Sequence, residues 1–212
     1  MVYHGGFIVK KIYRIAQMLF IAVLMMADNP AAVFAQSAGG RRTEATFKLF
    51  SSGNYHFKAN MYLNDQAQGT FETYMKDGRM ATITTSQGMT SRIVNRDNKS
   101  YMIMDSARMV MVMPQQDQAQ AGTVTEGLVF VRSGTADFRG KSLPYEEYSE
   151  PDGDKETIAQ YFFDGTKLVG IRNLDGDTKF DIEILGIDQN IPGNIFDIPS
   201  GYQVTDMSGL GR

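Results

Sequence analysis

The stretch Tyr55-His56-Phe57-Lys58-Ala59-Asn60-Met61-Tyr62-Leu63 decides the fold class. Tyr55, Phe57, Ala59, Met61 and Leu63 occupy its odd positions. His56, Lys58, Asn60 and Tyr62, polar or amphipathic, occupy the even ones. Successive side chains of an extended chain point to opposite faces, so this period of two predicts a strand with one buried face. Upstream, residues 43–52 predict a short helix, with Phe47 and Phe50 three apart and Gly53 as its C-terminal stop. Downstream, 69–76 and 79–85 flank Asp77-Gly78, a pair suited to the left-handed backbone of a two-residue hairpin.

The same grammar continues. Runs at 89–94, 100–104, 108–113, 128–132, 144–150, 157–163, 167–173 and 179–187 are separated by short polar turns, among them Asp164-Gly165. About ten strands at short spacing imply one antiparallel sheet built as a meander. A sheet of that size twists and curls, so the expected architecture is mainly β (α+β): a curved antiparallel sheet forming an incomplete barrel over one or two short helices. Residues 114–126 are polar and rich in Gln, Ala and Gly, and are expected to form a long loop.

Length and composition narrow the function. The chain has 212 residues, 42% hydrophobic and 21% charged, values of a globular protein with a core. Its formal charge is −3, with no basic surplus to hold nucleic acid. There is no Cys, which excludes disulfides, thiol catalysis and a Cys-linked lipid anchor. Residues 1–35 read as a secretory signal: Lys10, Lys11 and Arg14 precede an apolar run from Ile15 to Met26 interrupted by Gln17. Val33-Phe34-Ala35 then supplies small residues at a cleavage site after Ala35. Cleaved or kept as an anchor, this segment sends the rest of the chain out of the cytoplasm. The expected organisation is signal 1–35, flexible leader 36–42, one domain 43–206 and a tail 207–212.

Chemistry-bearing motifs are few. Glu146 and Glu147 are neighbours on a strand and diverge, which does not suit the paired carboxylates of glycoside chemistry. His56 sits on the polar face of the first strand, where a solvated imidazole is expected. The acidic turns near Asp152 and Asp175 lack calcium-loop spacing. No cofactor is implied, and an enzyme is not expected. More unusual are five methionines in twelve positions: Met102, Met104, Met109, Met111 and Met113. Three readings fit them: a core face filled by adaptable side chains, a deformable lining for apolar ligands, or a thioether site for Cu(I).

Three segments carry a resemblance. They are Phe47 to Tyr55; Gly134-Thr135-Ala136-Asp137-Phe138 leading to Leu143-Pro144-Tyr145-Glu146-Glu147-Tyr148; and the ending Ile195-Phe196-Asp197-Ile198-Pro199-Ser200-Gly201-Tyr202. Together they resemble the lipoprotein-localisation carrier superfamily, the LolA/LolB-like proteins, and in particular its uncharacterised secreted bacterial members. The resemblance implies an incomplete barrel folded over helices, with an apolar cavity for acyl chains or other lipophilic molecules. Many such relatives hang from an acylated Cys, which this chain lacks. The expected function is therefore a secreted or periplasmic, non-enzymatic protein that takes a lipid or other apolar ligand in its concave face. Phe57, Met61, Phe71, Met102, Met104, Met109, Met111 and Met113 are the candidate lining. The alternative is an extracytoplasmic interaction or sensory module that meets an envelope protein and holds no small ligand.

Overall fold

The computed structural model describes residues 41–97, 99–114, 129–152 and 155–207. The expected signal and most of the leader, nearly all of the polar stretch 114–126 and the tail beyond Met207 lie outside them. Within them one helix, α1 (Arg42–Ser51), precedes twelve strands of a single sheet. The first six are β1 (Tyr55–Leu63), β2 (Gln66–Lys76), β3 (Arg79–Ser86), β4 (Met89–Arg96), β5 (Lys99–Met104) and β6 (Met109–Pro114). The rest are β7 (Val129–Phe138), β8 (Lys141–Asp152), β9 (Lys155–Asp164), β10 (Lys167–Asp175), β11 (Thr178–Asp188) and β12 (Gln203–Asp206). Their order across the sheet is β12-β6-β5-β4-β3-β2-β1-β11-β10-β9-β8-β7. Two meanders therefore meet where β11 pairs with β1, and the curved sheet stays open rather than closing into a barrel.

Alternation governs β1 as expected: Tyr55, Phe57, Ala59 and Met61 are at most 1% exposed, while the residues between them are half-buried. The Asp77-Gly78 turn has positive φ at both residues, the backbone that fits a right-twisted hairpin. Helix α1 ends as expected, with Gly53 at φ +66° donating its N–H to the Phe50 carbonyl.

Two expectations are corrected. The sheet is not wholly antiparallel, because β12 runs parallel to β6. Residues 189–202 form no hairpin but lie against the sheet, so the strand that follows them is free of the antiparallel rule of tight turns. Strand β7 is also longer than the expected 128–132, continuing through Gly134 to Phe138 opposite β8.

Each face of the sheet has its own cover. On one, here the helix face, Phe50 of α1 packs on Tyr55 and Phe57, in one cluster with Met61, Phe71, Tyr161, Phe163 and Ile182. On the other, the tail face, Phe196, Ile195 and Tyr202 pack on Tyr74, Ala81, Val94, Ile103 and Val110. A second tail-face cluster sets Phe138 against Phe162 and Tyr145. There a Cβ at Gly170 would overlap the Phe138 ring, so only glycine admits that ring.

Candidate functional site

Strand register settles which side chains share a face. Phe57 stands opposite Thr73, Thr73 opposite Thr82, Thr82 opposite Ile93, Ile93 opposite Met102, and Met102 opposite Met111. The neighbouring row runs Tyr55, Met75, Met80, Asn95, Ser100 and Met113. Met104 faces Met109 one step further along the hairpin. Opposite residues in a ladder project from the same side. All five methionines of the β5–β6 hairpin thus belong to the helix face and continue the plane that carries Phe57 and Tyr55.

The two ends of that plane differ in exposure. Phe57, Met61 and Phe71 are 0–1% exposed and closed in among Phe50 and its neighbours. These three candidate lining residues are sealed core residues, Phe57 in direct contact with Phe50 of α1. Met102, Met104, Met109, Met111 and Met113 are half-buried, and Ile93 beside them is too. On the reverse of the same hairpin, Ile103 and Val110 are 0% exposed and meet the tail cluster. The structure brings the methionines side by side. It leaves the three core residues, on β1 and β2, several strands away, about 14–24 Å at one strand spacing per step. Ile93 is the residue that sequence reasoning omitted; the apolar pair Ile93-Val94 does not show which of the two shares the methionine face until register sets Ile93 opposite Met102.

The hairpin itself is held firmly. A 3-10 turn at Asp105–Ala107 and Arg108 at φ +50° reverse the chain, with the Arg108 N–H reaching the Asp105 carbonyl at 3.2 Å. Tyr202 of the tail donates its hydroxyl to Asp105 Oδ1 at 3.0 Å, and Arg108 lies over the Tyr202 ring. That hydrogen bond, with burial in support, raises the Tyr202 phenol above its ordinary pKa. Backbone bonds from Gln203 N to Arg108 O and from Met207 N to Val112 O pin β12 along the outer edge.

The remaining chemistry-bearing residues serve the fold. Glu146 and Glu147 diverge as expected. Glu146 turns to the start of α1, accepting from Arg42 N at 2.9 Å, Thr43 N at 3.3 Å and Thr43 Oγ1 at 2.8 Å. Glu147, on the opposite side, receives Arg132 Nε at 2.8 Å and Gln160 Nε2 at 2.7 Å. Burial raises the phenol of Tyr148, and its hydroxyl donates to Glu146 at 3.3 Å.

His56 corrects an expectation: it is not solvated. Its ring stacks on Tyr74 at 4.4 Å and lies 3.6 Å from Glu72 and 3.4 Å from Asp188, side chains of the flanking strands β2 and β11. Burial pushes the Glu72 carboxyl up, but hydrogen bonds from Lys58 and Tyr74 outweigh it and hold Glu72 below the ordinary carboxylate range. Among the described residues, no three His, Asp or Glu side chains are grouped so as to hold a metal ion. No helix of the described residues is long and apolar enough to cross a membrane.

Comparison with solved structures shows the fold. An uncharacterised conserved protein from Thermus thermophilus superposes with a TM-score of 0.50 at 8% identity, over 78% of this chain and 99% of that one. LprF from Mycobacterium bovis is similar over 71% of this chain and 92% of its own, with a TM-score of 0.45 and 7% identity. In the complex of MucA and MucB from Pseudomonas aeruginosa, the likeness covers 72% of this chain and 58% of that chain, at 12% identity and a TM-score of 0.41. No protein-family profile and no curated protein sequence matches the chain.

Proposed function

We propose that this chain is an exported, non-enzymatic binding protein that takes a lipid or other apolar small molecule on its helix face, over β4–β6. One observation carries the reading. Five methionines and Ile93 continue the plane of the buried core beyond α1, yet stay half-exposed. Large apolar side chains that share a plane with the core and keep contact with water mark a place where an apolar partner lowers the free energy. Methionine suits varied ligands, because its three rotatable bonds let the surface reshape. The signal-like residues 1–35 and the resemblance to lipoprotein-localisation carriers support export and a lipophilic cargo. Ligand residues under this reading are Ile93, Met102, Met104, Met109, Met111 and Met113, while Phe57, Met61 and Phe71 belong to the sealed core.

The test is native mass spectrometry of the chain recovered from the exported fraction, with solvent extraction of whatever is bound and titration with a fluorescent fatty acid. A reproducible lipophilic adduct and saturable uptake are expected. The double variant Met109→Asp, Met111→Asp sets two carboxylates in the patch and should abolish uptake, since a charge is not moved into an apolar contact without a large penalty. Unchanged uptake in a folded double variant overturns the assignment.

A second reading, an interaction module without a small ligand, has its own observation. Strand β7 is a ten-residue edge whose Val129 and Val131 are 57% and 47% exposed. Such an edge accepts an added strand from a partner. A ligand-free mass together with no fatty-acid uptake is the result that favours it.

A further inference from the structure

We infer that Met102, Met104, Met109 and Met111 form a thioether site for a soft monovalent metal ion, Cu(I) or its surrogate Ag(I). The starting observation is a division of residue types within one hairpin. On the buried side the β5–β6 ladder uses the β-branched residues Ile103, Val110 and Val112. On the other side it uses methionine at Met102, Met104, Met109, Met111 and Met113. Strands favour β-branched and aromatic side chains, and an ordinary half-buried strand face mixes them with Thr and polar residues. Here five of the six paired positions, all but Ser100, carry sulfur, so the thioether recurs where strand preference alone would mix residue types.

Register then sets the four residues at the corners of a quadrilateral. Met102 faces Met111 and Met104 faces Met109 directly across the ladder. Opposite Cβ atoms stand about 4.5–5.5 Å apart, and residues two apart along a strand are separated by about 6.8 Å. Each sulfur sits two bonds beyond its Cβ on freely rotating torsions. Four sulfurs swung inward can therefore meet one ion above the middle of the four, at a metal–sulfur length of about 2.3 Å, the value sulfur ligands make to zinc. The frame beneath them is rigid: Ile103 and Val110 are fully buried, and β12 is bonded along the outer edge.

The electrostatics select the ion. Four thioethers are neutral and soft, a set that prefers Cu(I) over harder divalent ions. The two charged side chains of the connecting turn, Asp105 and Arg108, both engage Tyr202. With no Cys anywhere in the chain, methionine is its only soft sulfur ligand.

This site does not rest on the apolar-ligand reading, and the wild-type chain tested with each probe separates them. In Met102→Leu, Met104→Leu, Met109→Leu, Met111→Leu the apolar surface is kept and the sulfur removed. The chain recovered from the exported fraction is titrated with Cu(I) under reductant against a chromogenic Cu(I) chelator, and with Ag(I) followed by native mass spectrometry. One bound ion per chain is expected, with sulfur-only coordination by X-ray absorption and no uptake of Zn(II). The quadruple Leu variant should lose Cu(I) affinity by about tenfold or more. Absence of Cu(I) and Ag(I) uptake by the folded wild-type chain overturns the inference. So does equal uptake by the Leu variant, or a nitrogen ligand that traces binding to His56. If the quadruple variant fails to fold, Met109→Leu, Met111→Leu alone removes two corners and must show the same loss. Fatty-acid uptake without Cu(I) binding sinks this site and leaves the apolar reading standing; the reverse pattern does the opposite.

Discussion

Replacing Glu146 by Ala should release the start of α1 and destabilise the whole chain by about 2–4 kcal/mol, the magnitude following from four contacts. The residue before the helix, Arg41, supplies no side-chain cap, so the first N–H groups depend on a carboxylate 104 positions away in sequence. Glu146 accepts from Arg42 N and Thr43 N, the service of an N-cap, whose loss costs about 0.5–2 kcal/mol. It also receives the hydroxyls of Thr43, at 2.8 Å, and of Tyr148, at 3.3 Å. A hydrogen bond to a charged acceptor contributes about 1.5–3 kcal/mol, and Thr43, 1% exposed, has no water to replace it. Against this, removing a carboxylate that is 8% exposed recovers part of its desolvation cost, which brings the net to the stated range.

The assay is urea denaturation followed by circular dichroism, read as a shift in midpoint at unchanged slope. The matching fall in Tm is about 4–15 °C for a chain of this size. Glu146→Gln keeps an acceptor oxygen and should lose about half as much. Hydrogen exchange supplies the local readout: in Glu146→Ala the amides of α1 lose protection before those of β1 and β11, whereas Glu147→Ala, on the other face, leaves α1 protected as in the wild type. A destabilisation below about 0.5 kcal/mol, or α1 amides as protected as before, would refute the reasoning that a strand carboxylate is the cap.

Three further outcomes follow from the same geometry. Gly170→Ala puts a methyl into the Phe138 ring and should cost about 1–3 kcal/mol, measured by urea denaturation; the double variant with Phe138→Leu should recover part of it. Arg172 holds Asp181, 1% exposed, through bonds of 2.7 and 2.9 Å. Arg172→Met should therefore cost about 3–5 kcal/mol by stranding that carboxylate, and Arg172→Met with Asp181→Leu should restore most of it; equal losses in the single and double variants would disprove the pairing. Because Glu72 titrates lower in the folded chain than the usual ~4.3 of an unfolded one, its contribution is present above that pH. As pH falls through the folded value the unfolded chain binds more protons, and stability drops. Glu72→Gln should flatten the acid limb of a Tm–pH curve below the usual ~4.3 and leave the neutral region's slope unchanged.

Alternation and turn pairs were enough to determine a large curved sheet, and the helix 43–52 with its stop at Gly53 was legible too. These are local properties: side-chain period, φ preference and residue chemistry are written within a few positions of one another. What only the tertiary structure decided are relations across long stretches of chain. Register across five ladders shows that Met111 and Phe57 share a plane, and that Phe57 is sealed while Met111 is half-open. The return of residues 189–202 over the tail face lets β12 pair parallel to β6, and Tyr74, Glu72 and Asp188 enclose His56, which its own strand would leave wet. Glu146 reads in sequence as an unpaired acid; only when β8 passes the start of α1 does it become a cap. The physical reason is common to all three. Burial and hydrogen-bond satisfaction are properties of the surroundings, and in a sheet those surroundings are assembled from residues far apart along the chain.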